Sequence, residues 1–419
     1  MSTRSILLVA QFAPPAGFSA SRRIAGITKY LARLGHRVTV LTSLASGRGE
    51  IEGAARGVRT RDLLASGMNW RRGHFESIRG GDEAYIEEPS RLASVVVPDL
   101  PLVSWLPFVV PRALELARRE RFDCVLTSSP PESVHLVGMA LRRRGVPWIA
   151  DLRDGWTFEG THPDWPLAWQ RRLDTALEAA VARRADLVTA VTEPIADDLR
   201  LRLGVDAVTL TNGFDPDERA VATRTEVGLD SGRFSLVYTG RLAFARSTPQ
   251  PLLDAVRTLK DTRPDVAARL EVVLAGPLSA GELEQIGAPD LREHVRSLGN
   301  LERESAIALQ RAADGLLLVL PPARPRSVAT AKLYEYLAAQ RPIVVLGDNN
   351  TAADIVRETR SGIVTSAHDP VAIAASLARL VDGEVSLPVD RPEIERYSYA
   401  RIARRLAELI ESISASGPS

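Results

Sequence analysis

Cysteine is almost absent from this chain. The one residue, Cys124 within an apolar run, excludes an internal disulfide and any metal site built from several thiolates. Lysine is nearly as scarce: Lys29, Lys260 and Lys332 are the only three, and every other cationic side chain is arginine. That bias points to a GC-rich coding sequence rather than to a function, and it makes a lysine inside a motif stand out. Charge of one sign is not in excess either. With 53 basic and 52 acidic residues the formal net charge is +1, so the basic surplus of a general nucleic-acid surface is missing. No apolar run approaches the roughly 20 residues needed to span a bilayer. The opening MSTRSILLVAQF enters a strand pattern without the basic, apolar and small-residue zones of a signal peptide. These absences lead to the expectation of a cytoplasmic protein. At 419 residues, two domains of roughly 200 residues each are expected.

What is present is an ordered series of apolar runs separated by turns. Residues 5–10 (SILLVA) form the continuous run of a strand buried on both faces of a parallel sheet. Pro14, Pro15 and Gly17 break the turn that follows. Ile24, Ile27, Leu31 and Leu34 then recur at helical spacing up to Gly35, and 37–42 (RVTVLT) is a second strand. Strand, turn, helix, strand is the opening of a doubly wound α/β domain. Further strands are predicted at 122–129, 147–151, 186–192 and 207–211. The pattern starts afresh at 234–239, after a polar, aperiodic stretch at 216–232 that reads as a linker. Two stretches fit less neatly. Residues 43–100 are rich in glycine and arginine with little period, as in a long functional or disordered loop. Trp105, Phe108 and Val109 then look exposed ahead of an amphipathic helix. They suit an acceptor wall, a shallow contact with a membrane surface, or a connecting helix packed on the sheet.

The most informative stretch is 321–342, PPARPRSVATAKLYEYLAAQRP. An apolar strand at 315–320 runs into a proline-bounded loop, a helix opens carrying Lys332 and Glu335, and Pro342 precedes another apolar strand at 343–346. In an open parallel sheet such a junction lies at the carboxyl edge of the strands, where ligands bind. The amides at the helix start, around Thr330 and Ala331, attract anions and above all phosphate. Lys332 adds a cation, and Glu335, three residues on, shares its face and can accept from a ribose diol. On spacing alone the same residues also make a surface helix with an i,i+3 ion pair.

Together these segments resemble the family 4 retaining glycosyltransferases of the two-lobed GT-B fold. Lys332, Glu335, Tyr336, Leu337, Ala338 and Pro342 match that family's donor-site helix, K-x-x-E-Y-L-A-x-G-x-P. The segment GHRVTV, beginning at Gly35, matches in full. Pro14, Pro15 and Gly17 match the first turn, keeping one of its two glycines. Asp151, Arg153, Asp154 and Trp156 match a D-x-R-D-x-W segment, while N-G-F-D at 212–215 and Gly240-Arg241-Leu242 match two further signatures. Each is short; their order and spacing over nearly the whole chain carry the likeness. Two family features are missing. The first of two glutamates eight positions apart would fall at Ser327, and Ser128 and Ser129 occupy the region of a frequent histidine. His135, further along, is not read as catalytic.

The resemblance implies an α/β fold of the GT-B class, two Rossmann-like doubly wound parallel-sheet domains facing each other across a cleft. The expected limits are 1–215 for an acceptor-binding domain, 216–232 for a linker, 233–392 for a nucleotide-sugar-binding domain and 393–419 for a helix crossing back to the first domain. It also implies transfer of a sugar, with retention, from a nucleoside diphosphate sugar to an acceptor nucleophile, by front-face attack assisted by the leaving phosphate. Arg241, Lys332 and Asp154 are the expected catalytic side chains, Asp154 as the group placed to orient an acceptor hydroxyl. Gly17, Gly240, Arg246, Leu301, Thr330, Ala331 and Glu335 are the expected donor contacts. No metal or other cofactor is implied, and no nucleic-acid partner. The acceptor (cell-surface polysaccharide, lipid-linked sugar or small secondary metabolite), the nucleobase, the sugar and the oligomeric state are not written in the residues. The missing glutamate leaves open a nucleotide-sugar epimerase, or a non-catalytic nucleotide-sugar binder on the same fold.

Overall fold

The computed structural model describes residues 2–16, 19–62, 105–160, 165, 167–242, 248–320, 326–385, 387 and 392–415. They form two compact units. One runs to Gly213 and resumes at Tyr397; the other runs from Phe214 to Arg396.

In the first unit β1 (Ser5–Val9), α1 (Ser19–Arg33), β2 (Arg37–Ser43) and β3 (Ala54–Thr60) are followed by α2 (Leu106–Arg119), β4 (Cys124–Ser129) and α3 (His135–Arg142). Then come β5 (Trp148–Leu152), α4 (Ala168–Arg184), β6 (Leu187–Ala190), α5 (Glu193–Leu203) and β7 (Ala207–Thr209). All pairings are parallel, in the order β3-β2-β1-β4-β5-β6-β7. Successive residues of a strand face opposite sides of its sheet, and β1 shows why its run is apolar throughout. Leu7 and Val9 join a core with α2, α3, α4 and α5, whereas Ile6 and Leu8 join one with Ile24, Ile27 and Leu31 of α1.

The second unit contains β8 (Phe234–Thr239), α6 (Gln250–Thr262), α7 (Pro264–Arg269), β9 (Leu270–Ala275), α8 (Ala280–Ile286), β10 (Val295–Gly299) and α9 (Arg303–Ala312). It continues with β11 (Gly315–Val319), α10 (Ala331–Ala339), β12 (Ile343–Leu346), α11 (Thr351–Glu358), β13 (Gly362–Thr365), α12 (Pro370–Val381) and α13 (Pro392–Glu395). Its sheet is ordered β10-β9-β8-β11-β12-β13. In both sheets the chain works outward from a central strand and then reverses direction, so a topological switch point lies between β1 and β4 and between β8 and β11. The last helix, α14 (Tyr399–Ala415), belongs to the first unit, where Ile402, Ala403, Leu406 and Ile410 complete the core under α1.

Packing decides among the alternatives for Trp105 and Val109, in favour of the connecting helix, and revises the reading of 43–100. Trp105 and Val109 are not exposed: they are 1% and 0% accessible, and the Trp105 indole donates to Thr60 Oγ1 at 2.7 Å. Burial of that ring seats α2 on the sheet, so neither an acceptor wall nor a membrane contact is made by these residues. The stretch 43–100 is not irregular throughout, because 54–60 forms the edge strand β3. Its small and charged residues (AARGVRT) hide the pattern, since an edge strand needs only one buried face. Residues 63–104 lie outside the described residues. The polar stretch 216–232 is tied to the second unit, where Arg224 holds Asp314 at 2.6 Å and the hydroxyl of Ser235 at 2.8 Å.

Candidate functional site

The carboxyl ends of the second unit's strands are built from glycine turns. Gly240 follows β8, Gly276 follows β9, Gly299 ends β10 and Gly347 follows β12, all with positive φ. Two of them are forced by close approach. A β-carbon on Gly276 would lie 2.3 Å from the Gly240 carbonyl oxygen, and one on Gly240 would lie 2.9 Å from Lys332 Nζ. Backbone therefore comes close to backbone here, and the ammonium of Lys332 occupies the space above the first turn after β8.

Helix α10 brings that ammonium there. Leu333, Tyr334, Tyr336, Leu337 and Ala339 are buried, which fixes the rotation of the helix and leaves Lys332 and Glu335 on the remaining face. The Tyr336 hydroxyl accepts from the Thr239 amide at 3.0 Å, locking the helix to the end of β8; burial pushes its phenol up to about 12. Lys332 Nζ sits 3.8 Å from the centroid of the Tyr238 ring, a cation–π contact. Tyr238 in turn donates to the Arg241 carbonyl at 3.0 Å, so the backbone of the next residue is fixed as well. Glu335 reaches the same strand end by another route. Its Oε2 accepts from Gln310 Nε2 at 3.4 Å, and that amide also donates to Thr239 Oγ1 at 2.8 Å. Its Oε1 accepts from Arg303 at 3.1 Å. Each oxygen of the carboxylate is thus held by a neighbouring side chain.

The entry to α10 is rigid on one side. Thr351 and Ala352, at the start of α11, donate their amides to the carbonyls of Arg326 and Val328 at 2.8 and 3.1 Å. Thr330 is the N-cap residue, and its Oγ1 is buried without a hydrogen-bond partner among the described residues. With the backbone amides that open the helix it places donors at the helix start, where a negative charge is favoured. Ala331 opens the helix, and Leu301, half-buried, lies two residues beyond Gly299. Gly17 and Arg246 lie outside the described residues. A cavity of about 420 Å³ lined by Arg233, Glu271, Arg292 and His294 lies at the opposite, amino-terminal end of β8, β9 and β10, and so is not this site.

In the first unit the D-x-R-D-x-W residues separate. Asp151 is fully buried and accepts from Arg23 Nε at 3.0 Å, Arg23 Nη2 at 2.8 Å, Ser128 at 2.7 Å and Thr189 at 2.8 Å. Burial alone would push its carboxyl up, but the charge of Arg23 and these hydrogen bonds outweigh it and hold it below the usual carboxylate range. Arg153 is buried and donates to the carbonyls of Ser129 and Pro130. Trp156 is buried with its indole on Asp174. Asp154 alone of the four is exposed, just past the end of β5. His36 accepts from the Arg4 amide at 3.2 Å, a packing role.

Residues 20–213 match the model of the glycosyl transferase 4-like domain, and residues 233–383 match that of the glycosyl transferases group 1. The chain belongs to the family 4 glycosyltransferases of the GT-B fold. It is 30% identical over 226 residues to the D-inositol 3-phosphate glycosyltransferase of Salinispora tropica, across 49% of this chain and 45% of that one. It is 25% identical over 224 residues to the phosphatidyl-myo-inositol mannosyltransferase of Mycobacterium tuberculosis, across 51% and 56%. The matched region thus spans about half the length of these curated relatives. Among solved structures, sucrose-phosphate synthase from Thermosynechococcus elongatus superposes with a TM-score of 0.65 at 15% identity, covering 99% of this chain and all of that one; it shares the fold.

Within this family member, sequence reasoning found α10 but missed Gln310, Arg303 and Arg23. Nothing local marks them. Gln310 looks like any polar residue of a surface helix until β8 and α10 are placed on either side of it.

Proposed function

We propose that this family 4 chain transfers a sugar from a nucleoside diphosphate sugar to an acceptor hydroxyl with retention of configuration. One observation carries the reading: Lys332 and Glu335, on one helix, converge on the same strand end, Lys332 over Tyr238 and Gly240 and Glu335 through Gln310 to Thr239. In this reading Lys332, Arg241, Arg246, the Thr330 hydroxyl and the amides opening at Ala331 hold the diphosphate. Negative charge grows there as the sugar departs, so cations and amides fixed in advance favour the transition state over the ground state. Glu335, oriented by Arg303 and Gln310, accepts from the ribose hydroxyls, and Leu301 borders the base. The new acceptor-oxygen-to-carbon bond forms as the bond to the phosphate oxygen breaks, and the acceptor proton passes to the departing phosphate. Asp154, exposed at the carboxyl edge of the first sheet, orients the acceptor hydroxyl. Charge neutralisation by protein cations makes no call on a metal. Because relatives are named for inositol phosphate and phosphatidyl-myo-inositol, a cyclitol hydroxyl is the first acceptor to offer, followed by sugars of cell-surface polymers.

Calorimetric titration with UDP, GDP, ADP, CDP and dTDP, with and without EDTA, tests the reading. At least one nucleotide should bind, EDTA should not matter, and Lys332→Ala or Glu335→Ala should weaken binding by tenfold or more, the equivalent of losing a charge-assisted hydrogen bond worth about 1.5–3 kcal/mol. Binding by both variants at wild-type affinity, with unchanged circular dichroism, would sink it. Ser327, buried where the family carries its first glutamate, favours one second reading: an enzyme redirected to epimerisation, or a binder. Incubation with donor alone distinguishes them, since epimer or intact donor would replace the glycoside.

A further inference from the structure

The cavity at the amino-terminal ends of β8, β9 and β10 lies at the other end of the sheet from Lys332 and Glu335, yet it is built as a site. One wall is the loop 225–230, and Arg224 ties that loop down. It donates to the carbonyls of Asp230 and Arg233 at 2.7 Å each and to the Ser235 hydroxyl at 2.8 Å. Gly228 turns the loop at φ 74°, and its carbonyl accepts from Arg296. Leu229 and Val295, both buried, supply apolar lining. A volume of about 420 Å³ is far more than a single ion fills. It falls within the roughly 300–1,000 Å³ of small-molecule pockets.

Its charged lining divides into groups already satisfied and groups that are not. Glu271 is satisfied: Oε1 accepts from the Asp230 amide at 2.9 Å and from Ser235, and Oε2 pairs with Arg296 at 3.1 Å. Arg233 is not. It donates to the carbonyls of Glu293 and Leu270 and lies 3.2 Å from His294 Nδ1. Among the described residues no carboxylate pairs with it, and its Nε is buried without a hydrogen-bond partner. Arg292 is exposed, and its side chain makes neither a hydrogen bond nor an ion pair among the described residues. Burial first, and then the charges of Arg233 and Lys260, lower the pKa of His294, so a positive potential reaches this wall. Two guanidinium groups that no ion pair neutralises therefore line one cavity. Asp230 and Glu293 line it as well, both exposed.

We propose that this cavity binds a small polyhydroxylated molecule carrying one phosphate, such as a sugar monophosphate. Arg233 and Arg292 take the phosphate, which suits the planar guanidinium fork, while Asp230 and Glu293 accept from hydroxyls. The two carboxylates also set the limit. A second phosphate would meet like charge there, so a monoester is preferred to a diphosphate. Among the described residues no Phe, Tyr or Trp lines the cavity, so no such ring stacks a base and a nucleotide gains nothing from its base.

The full chain is titrated calorimetrically with glucose 6-phosphate, glucose 1-phosphate and fructose 6-phosphate, with glucose and inorganic phosphate as controls. At least one ester should saturate a site at millimolar concentration or below, about tenfold or more tightly than either control. Arg292→Glu reverses the charge of an exposed, unbonded side chain, so its melting curve should not change. It should bind the ester about tenfold or more weakly, whereas Lys332→Ala should bind it as the wild type does. The proposal is overturned if no ester binds at millimolar concentration, or if inorganic phosphate binds as tightly as every ester. It is equally overturned if Arg292→Glu binds like the wild type, or if Lys332→Ala loses the ester, because the ligand would then sit elsewhere. Arg292→Glu should leave nucleoside diphosphate binding unchanged, so these outcomes stand apart from the reaction proposed above.

Discussion

Gln340 closes α10 at φ 58°, in the left-handed region where a side chain crowds the following carbonyl. The family's pattern has glycine at this position. Gln340→Gly should therefore stabilise the second unit by about 1 kcal/mol, seen as a raised denaturation midpoint with an unchanged slope. A midpoint that stays put or falls would mean that contacts of the glutamine side chain outweigh its backbone strain. His135 offers a test by pH. It is fully buried, with Nδ1 2.8 Å from Thr127 Oγ1 and its ring stacked on Trp156 at 6.1 Å. Trp148 Nε1 donates to the same hydroxyl at 2.8 Å, so the threonine proton is directed to Nδ1 and the imidazole is neutral. Burial is the main cause that lowers its pKa from 6.5 to about 4. The unfolded chain takes up this proton near 6.5 and the folded one only near 4, so stability falls as pH drops through that window, by up to roughly 3 kcal/mol. His135→Gln should flatten the decline in urea midpoint between these limits. Parallel pH profiles for the two proteins would refute it.

At the scale of elements, the contact of α1 with α14 depends on one missing side chain. A β-carbon on Gly26 would lie 2.2 Å from the Tyr399 ring. Gly26→Ala should destabilise the first unit by about 1–3 kcal/mol through overpacking, and Tyr399→Ala added to it should recover part of the loss. If the single change is neutral, the ring has room to move and the contact is not a constraint. Element scale is also where the sequence was most and least legible. Helix α10 could be read because its buried residues recur with helical period between a proline-bounded loop and a strand. Helix α4 is harder to read: Gln170, Asp174 and Glu178 are buried beside Val181 and Ala182, so no apolar period marks its inner face. Trp105 misleads similarly, since nothing near it in the chain announces the hydroxyl of Thr60 as its partner.

The whole molecule is divided differently in space and in sequence. Residues from Tyr397 onward follow the second unit in the chain yet belong to the core of the first. Ending the chain after Arg396 uncovers the face lined by Ile6, Leu8, Ile24 and Ile27. Amide exchange in β1 and α1 should then accelerate strongly, while β8 and β11 keep their protection. Faster exchange confined to β8 and β11 would contradict the assignment of α14.

Most of the order of strands and helices, the placing of Lys332 and Glu335 on one helix face and the family itself were determined by the sequence alone. Period, turn residues and short motifs are properties of neighbours, and neighbours are what a sequence records. Which side of a helix is buried, and which charges are neutralised, was decided only by tertiary structure. Asp151 is held ionised by Arg23, 128 residues away, and Glu335 is oriented by Gln310 and Arg303 from a different helix. Burial and electrostatics are set by whatever the fold brings opposite, and that partner has no fixed place along the chain.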